Sequence, residues 1–591
     1  MEPITMELEM PRLPLINKVF IFSLAVMFLL AMHFPMQNPG GAGLSLSFNV
    51  TTWMALSISL GIGLYKISTA REIKYSKLTI SLFVCALLLT IPILYDNVNM
   101  DNISNRLIGL WAGFVFFVVL QQFKFSEQQK QQLLWLVVLA VIIEALFGLW
   151  QYLMLEPGNM FVYNTKVNRP YGIFQQPNVM ASFLATGLVI SGFLIPTQLT
   201  RSRSVFSKMT LLYLVPLLTV PLLIALASRT GWLGATLATI GILPFIYHFS
   251  TKKHCASWLI SIIVGAVLGI IIIQSQGTGD FILAKADVES PRRYTIPQTL
   301  DMIVEKPLTG YGYGRFEHEY IHYTATRHQQ DENYRAGLAQ MDHPHNELLF
   351  WGAEGGVLPI IALLLAALFV ALHINKVKGS KRLALYSLFI PIVLHTQLEY
   401  PFYHSAIHWF IFIILIYWID QEVSHYNTQR FSNGSKIILR ISSLLIPILT
   451  SVYMLTLLHT NLVLIEYERS NPKNPEILKQ VSNHGAWKYR FEHDVYTTYF
   501  NIGLTLNKAE LIREYVSWAV KTLDKKAYPS KYKRLILAYQ ALNEPKNVEK
   551  IKAEAKFLFP AVNFSNINYI PPSSAVLQVS EGVTLIENKD K

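Results

Sequence analysis

Residues Asp342-His343-Pro344-His345-Asn346-Glu347 bring two imidazoles and three carboxylate or amide groups together immediately before the apolar run LLFWGAEGGVLPI. Pro344 disfavours helix upstream, and Asn346 or Asp342 can cap a helix that starts here, so His345 stands at a helix N-terminus. The partial positive charge of that terminus disfavours imidazolium, which predicts a neutral His345 able to take a proton as a general base. A histidine that merely hydrogen-bonds at an interface would have the same spacing. Arginines form a second set: Arg169 before Pro170, Arg229, the pair Arg292 and Arg293, and Arg315 after a glycine-rich turn. Guanidinium forks suit phosphate oxygens, and several converging would suit a diphosphate. Arg229 would also be favourable simply as a cation at the C-terminus of the preceding helix, and Arg292 and Arg293 as part of a solvated loop. A third set, Gln175-Gln176-Pro177-Asn178 and Glu399-Tyr400-Pro401, places polar side chains beside prolines. Gln176, Asn178 and Tyr400 could orient a polar head group, or cap helices. No P-loop, H-E-x-x-H or metal-ligand spacing occurs, so neither a metal nor a cofactor is expected.

These residues must be positioned by elements that live in lipid. Of 591 residues, 52% are hydrophobic and only 15% charged, with mean hydropathy +0.34, which excludes an ordinary soluble enzyme. Thirteen apolar runs approach the length of about 20 residues needed to cross a bilayer. They fall near 16–34, 47–65, 78–95, 107–122, 133–153, 179–199, 209–227, 231–249, 256–275, 347–373, 383–400, 405–419 and 437–462. The predicted fold class is therefore all-α and polytopic. Glu144 and Glu354 lie inside apolar runs and are predicted to be buried and hydrogen-bonded.

Loops after even-numbered runs carry most of the Lys and Arg, among them Lys66, Arg71, Lys74 and Lys77, then Lys376, Lys378, Lys381 and Arg382. Positive loops stay in the cytoplasm, which predicts a cytoplasmic N-terminus, an outward 276–342 loop and an outward tail from about residue 466. The net charge of +12 then belongs to membrane topology, not to nucleic-acid binding. The first run is predicted to remain as an anchor, since acidic residues precede it and no small-x-small cleavage site follows. Cys85 and Cys255 are too few for a disulfide framework.

The 276–342 loop is long enough to be functional. Residues 296–304 read as a short helix ended by Lys306-Pro307, the GYGYG at 310–314 as a tight turn, and Thr324 to Gln340 as polar and mobile. Two domains are predicted: 1–465, a transmembrane part that includes this loop, and 466–591, a small helical domain. The latter has helical segments at 474–484, 493–508, 509–523, 530–542 and 546–557, and a disordered end after Pro571.

Taken together the motifs resemble the O-antigen ligase superfamily of membrane glycosyltransferases, and within it bacterial protein O-oligosaccharyltransferases of the PglL type. The resemblance rests on Asn38-Pro39-Gly40-Gly41, Arg169 with Gly172 and Gln176-Pro177-Asn178, Ser228-Arg229-Thr230-Gly231, Pro307 with the GYGYG, His345-Asn346 with Gly356, and Glu399-Tyr400-Pro401. Where the family pattern often has Gly, Thr or Tyr, this chain has Pro359.

The resemblance implies metal-independent, inverting transfer of a preassembled glycan from a polyprenyl diphosphate carrier to Ser or Thr of a protein such as a pilin. The site would face the periplasm at the inner membrane of a bacterium. His345 would be the base, Gln176 and Tyr400 would position substrate, and the arginines would hold the diphosphate. An O-antigen ligase or polymerase with a saccharide acceptor is the near alternative. A polytopic transporter, the alternative of another class, should place its polar residues near the bilayer midplane instead of at one surface.

Overall fold

The computed structural model describes residues 14–37, 41–165, 169–198, 205–277 and 291–571. Asn38, Pro39 and Gly40 of the N-terminal motif, and the tail after Pro571, lie outside the described residues. The protein is an all-α polytopic membrane protein. Among the described residues, twelve helices are long and apolar enough to cross a bilayer. They are α1 (Leu15–Leu29, prolonged by a 3-10 turn to His33), α2 (Ser47–Ala70), α3 (Lys77–Thr90, prolonged to Leu94), α4 (Met100–Gln121), α5 (Glu127–Leu153), α6 (Pro177–Leu194), α7 (Val205–Ala225), α8 (Arg229–Phe249) and α9 (Lys252–Ser275). Beyond the long loop come α13 (Val357–Asn375), α16 (Ala406–Val423) and α17 (Asn433–Arg469). The remaining predicted run, 383–400, is α14 (Ser380–Thr396), which packs against α6 and α8 and is followed by a single helical turn, α15 (Pro401–His404). Local sequence starts many of these helices: Ser76 and Ser126 make capping boxes with Thr79 and Gln129, and Ser228 and Thr251 cap α8 and α9.

At one end of the bundle, residues 72–75 and 427–430 pair as a two-stranded antiparallel sheet. The opposite end collects the chemistry-bearing loops. The 276–342 segment contributes α10 (Arg292–Glu305) and α11 (Phe316–Gln330), and α12 (Glu347–Gly355) follows it. The sequence predicted a single run over 347–373; Gly356, at φ +75°, breaks it into α12 and α13. Pro359 sits in the first turn of α13, where a missing N–H costs no helical hydrogen bond.

The GYGYG turn closes this break. Gly310, Gly312 and Gly314 all have positive φ. A Cβ on Gly310 would stand 2.5 Å from the Glu354 carbonyl carbon, and one on Gly312 would stand 2.1 Å from Asn97 O. Only glycine lets the turn approach so closely. Tyr311 N–H then donates to Ala353 O (2.8 Å) and Gly312 N–H to Glu354 O (2.9 Å), which satisfies carbonyls left open at the end of α12. On its other side the turn holds the start of α4, with Asn99 N–H on Tyr313 O (2.8 Å) and Asn102 Nδ2 on Gly314 O (2.8 Å).

The two carboxylates inside apolar runs are both partnered. Glu144 accepts from Ile173 N–H (2.6 Å) and lies 3.3 Å from His33 Nδ1. Glu354 pairs with Arg106 (2.8 Å) and accepts from Phe316 N–H (3.1 Å). The Arg106 guanidinium is also covered by the Phe350 ring, 4.0 Å from its centroid.

At about 1.5 Å per residue the 37-residue α17 is on the order of 55 Å long, more than a hydrocarbon core of about 30 Å, so it runs on into the tail. The predicted domain boundary at 465 therefore falls inside a continuous helix. The tail continues as a 3-10 segment (Pro475–Gln480), α18 (Lys488–Leu506), α19 (Ala509–Lys521), α20 (Pro529–Ala541) and α21 (Pro545–Leu558). The mobile stretch predicted from Thr324 onward is in part helix α11, whose Ile321 and Ala325 are buried in the tail's own core beside Ile512, Tyr515 and Leu558.

Candidate functional site

Asn346 caps α12: its side chain accepts from Leu349 N–H (3.0 Å), and its amide donates to Gln397 O (3.0 Å). His345 therefore lies just before the cap, at φ +58° in the left-handed region. The ring meets Glu399, which sits in the turn that ends α14. His345 Nδ1 is 3.0 Å from Glu399 Oε2. Around the same carboxylate stand His343, whose Nε2 is 3.6 Å from Oε2, and Asn178 Nδ2, 3.4 Å from Oε1. Arg292 also pairs with Oε1. His343 Nδ1–H donates to Asp342 Oδ1 (2.5 Å), and its ring lies under Tyr400, with 3.5 Å between centroids.

The electrostatics follow from this packing. Burial opposes charge on Glu399, but hydrogen bonds from His343 and His345 and the Arg292 guanidinium outweigh it and hold the carboxyl well below its usual range. Burial likewise opposes a charged His343, yet Asp342 and Glu399 raise its pKa. Asp342 is lowered in turn: burial works against it, and the His343 hydrogen bond prevails. Burial pushes the Tyr400 hydroxyl up, with Asp342 and Glu399 adding to it, so it remains a proton donor.

An ionised carboxylate only accepts, so His345 Nδ1–H donates to Glu399, and in the neutral ring the lone pair is then on Nε2. His345 stands at the helix N-terminus as expected, and a carboxylate 54 residues away contacts its ring as well.

The fold gathers His345, Asn178, Arg292 and Tyr400 about Glu399, and treats the other predicted residues differently. Arg293 follows Arg292 in the first turn of α10, which begins four residues earlier than predicted, so neither belongs to a plain loop. Gln176 caps α6, its Oε1 accepting from Asn178 N–H (2.5 Å) and Val179 N–H (3.1 Å). Arg169 donates to Leu226 O (2.6 Å) and Ala227 O (3.3 Å), the carbonyls of the two residues that follow α7. Arg169, not Arg229, is thus the cation at that C-terminus. Arg229 is the exposed first residue of α8, where the helix dipole gives a cation no support. Arg315 is not joined to the Glu399 cluster; it pairs with Glu319 on α11 (3.1 Å).

Three families match successive parts of the chain. Residues 170–195 match one described as "Protein glycosylation ligase", 212–364 one described as "O-Antigen ligase", and 383–569 one described as "Virulence factor membrane-bound polymerase, C-terminal". The chain is similar to the protein named General O-oligosaccharyltransferase of Acinetobacter baylyi (strain ATCC 33305 / BD413 / ADP1), at 24% identity over 321 residues. That match covers 51% of this chain and 53% of the relative, so about half the length of each is compared. The motifs and the matches agree: the chain resembles the PglL type of the O-antigen ligase superfamily.

The "O-Antigen ligase" match holds Arg229, Arg292 and His345, and the match beginning at 383 holds Glu399 and Tyr400. The contact between His345 and Glu399 joins two separately matched segments. Sequence reasoning named Glu399, His343 and Asp342 within its motifs but gave none of them a role in the site. The signal for Glu399 was its place beside Tyr400-Pro401 at the end of an apolar run, and the signal for the others was their adjacency to His345. No metal-ligand spacing is visible in the sequence, yet the fold brings three ligand-type atoms together: His343 Nε2, His345 Nδ1 and Glu399 Oε2.

Proposed function

We propose that this protein is a membrane oligosaccharyltransferase that moves a preassembled glycan en bloc from a polyprenyl diphosphate carrier to a Ser or Thr hydroxyl of a protein, a pilin being the type of acceptor. The observation that supports the reading is the Glu399–His345 pair, in which one carboxylate holds His345 through Oε2 and Arg292 through Oε1. The acceptor hydroxyl gives its proton to His345 Nε2 as its oxygen attacks the anomeric carbon. The bond from that carbon to the diphosphate oxygen breaks, and attack from the opposite side inverts the centre. Arg292, Arg293 and the exposed Arg229 meet the charge growing on the diphosphate, so the step draws on guanidinium groups in place of a divalent ion. Asn178 and Tyr400 line the position of the transferred sugar, while the polyprenyl chain stays in lipid. In this reading the protein sits in the bacterial inner membrane with its N-terminus in the cytoplasm and the site, the 276–342 segment and the tail in the periplasm.

The family described as a polymerase favours a second reading, with a saccharide hydroxyl as acceptor at the same site. Purified protein, a polyprenyl diphosphate oligosaccharide and either a pilin-like protein or lipid A core separate the two. Transfer to protein that drops at least about 100-fold in His345→Ala supports the proposal. Unchanged turnover in that variant removes the mechanism, and transfer to lipid A core alone assigns the saccharide acceptor.

A further inference from the structure

The atoms that prepare His345 for catalysis also satisfy the geometry of a transition-metal site. His343 Nε2 and His345 Nδ1 are 3.1 Å apart, His345 Nδ1 and Glu399 Oε2 3.0 Å, and His343 Nε2 and Glu399 Oε2 3.6 Å. Ligands about 2.0–2.1 Å from a tetrahedral zinc stand about 3.3 Å from one another, which is the mean scale of this triangle. The surroundings are those of a metal-binding histidine as well. The far nitrogen of His343 is held by Asp342 Oδ1 at 2.5 Å, the carboxylate–histidine arrangement that orients such ligands. The second oxygen of Glu399 is held by Arg292, leaving Oε2 to bind as a single donor. His343 and Glu399 are nearly buried and His345 is 20% exposed, so the triangle is preformed and still open on one side.

We infer that His343, His345 and Glu399 form a zinc site whose occupation switches the transferase off. Zinc takes the Nδ1 lone pair of His345, and the proton formerly on Nδ1 passes through solvent to Nε2. The ring remains neutral overall, but the nitrogen that faced the acceptor now carries a hydrogen and cannot receive another. One N–H bond breaks at Nδ1 and one forms at Nε2, the freed Nδ1 lone pair goes to the metal, and no electron is gained or lost. Two nitrogens and one oxygen favour zinc over magnesium, which prefers octahedral oxygen ligands. The zinc site itself stands on geometry alone; its inhibitory effect rests on the function proposed above.

The full-length protein, stripped of metals by a chelator and kept in detergent, tests this by calorimetric titration with ZnCl2 and, separately, MgCl2. One Zn2+ per chain and no comparable Mg2+ binding are expected, with affinity at least 100-fold weaker in His343→Ala and 10- to 100-fold weaker in Asp342→Asn, the milder change that keeps the fold under test. Co2+ loaded in place of zinc should give the visible absorption of a four-coordinate nitrogen–oxygen site. Saturating Zn2+ should lower glycan transfer at least tenfold, with recovery on adding EDTA. Absence of zinc binding, or binding unaltered in both variants, overturns the site even where transfer proceeds. Zinc that binds at this site and raises the rate overturns the inhibitory role.

Discussion

Glu399→Gln keeps the shape of the side chain and removes its charge, so it separates orientation from electrostatics. The carboxylate holds His345 Nδ1–H at 3.0 Å, Arg292 on its other oxygen and His343 at 3.6 Å. A glutamine can place its NH2 toward His345, which moves the imidazole proton to Nε2 and removes the base. Loss of the correct tautomer in a carboxylate–histidine pair costs up to about 10⁴ in kcat, and general-base catalysis as a whole about 10²–10⁴. A fall of about 10²–10⁴ in kcat is expected. Stability falls too, because Arg292 and His343 lose their counter-charge. Breaking a fully buried pair costs about 3–5 kcal/mol, and the 24% exposure of Arg292 brings this toward about 2–3 kcal/mol. Single-turnover transfer of a fluorescent oligosaccharide, with thermal unfolding measured on the same preparation, reads both effects. A folded Glu399→Gln protein with kcat within threefold of the parent would refute the role given to the carboxylate.

Three further outcomes follow from the packing. Gly310→Ala places a methyl 2.5 Å from the backbone of Glu354 at φ +63°, so a loss of about 1–3 kcal/mol is expected in thermal unfolding; an unchanged Tm would mean the turn does not clamp α12. Glu354→Gln leaves the Arg106 guanidinium, 8% exposed, without its counter-ion, and a loss of about 3–5 kcal/mol is expected, which Arg106→Met in the same chain should partly reverse. The raised pKa of His343 means that its contribution to stability is fully present below its ordinary value of about 6.5 and is lost as pH rises through the folded value. The Tm difference between parent and His343→Gln should therefore be widest near pH 6 and narrow toward alkaline pH, and a constant gap would count against the Asp342–His343–Glu399 chain.

Features encoded within a few residues were legible in the sequence, and features that depend on a distant partner were not. Asn346 could be read as a cap because the cap and the bonded N–H are three residues apart. The helices of the tail were legible for the same reason. The pairing of His345 with Glu399 crosses 54 positions and three helices, and nothing local records it. Gly356 was read within one apolar run because the residues on both sides are equally hydrophobic; its break depends on the GYGYG turn and Pro307, whose carbonyl accepts from Val357 N–H (2.7 Å). Helix α11 was read as mobile over its second half because FEHEYIHYTATRHQQ has no aliphatic stripe: it buries Ile321 and Ala325 against the tail and Phe316, Tyr320 and Tyr323 against α10 and α12.

The arginines show how the fold turns a list of candidates into an argument. Arg292 and Arg293 open α10 and Arg229 opens α8, so all three stand at helix N-termini. A cation there is disfavoured by about 0.3–1 kcal/mol, and a chain selected for stability alone would place an acid in each position. Arg169 does the opposite and stabilises the C-terminus of α7 through two carbonyls. Helix N-termini that also carry guanidinium groups are doubly suited to an anion, since the backbone dipole and the side chain attract the same ligand and that ligand relieves the repulsion between them. Under the proposed function an anionic substrate would account for Arg229 and Arg293, whereas Arg292 is also met by Glu399 and the position of Arg169 is explained by the fold itself. Arg169→Gln should consequently lower Tm with little change in donor KM, while Arg229→Gln should raise donor KM with little change in Tm; the reverse pattern in thermal unfolding and transfer kinetics would dissolve the distinction.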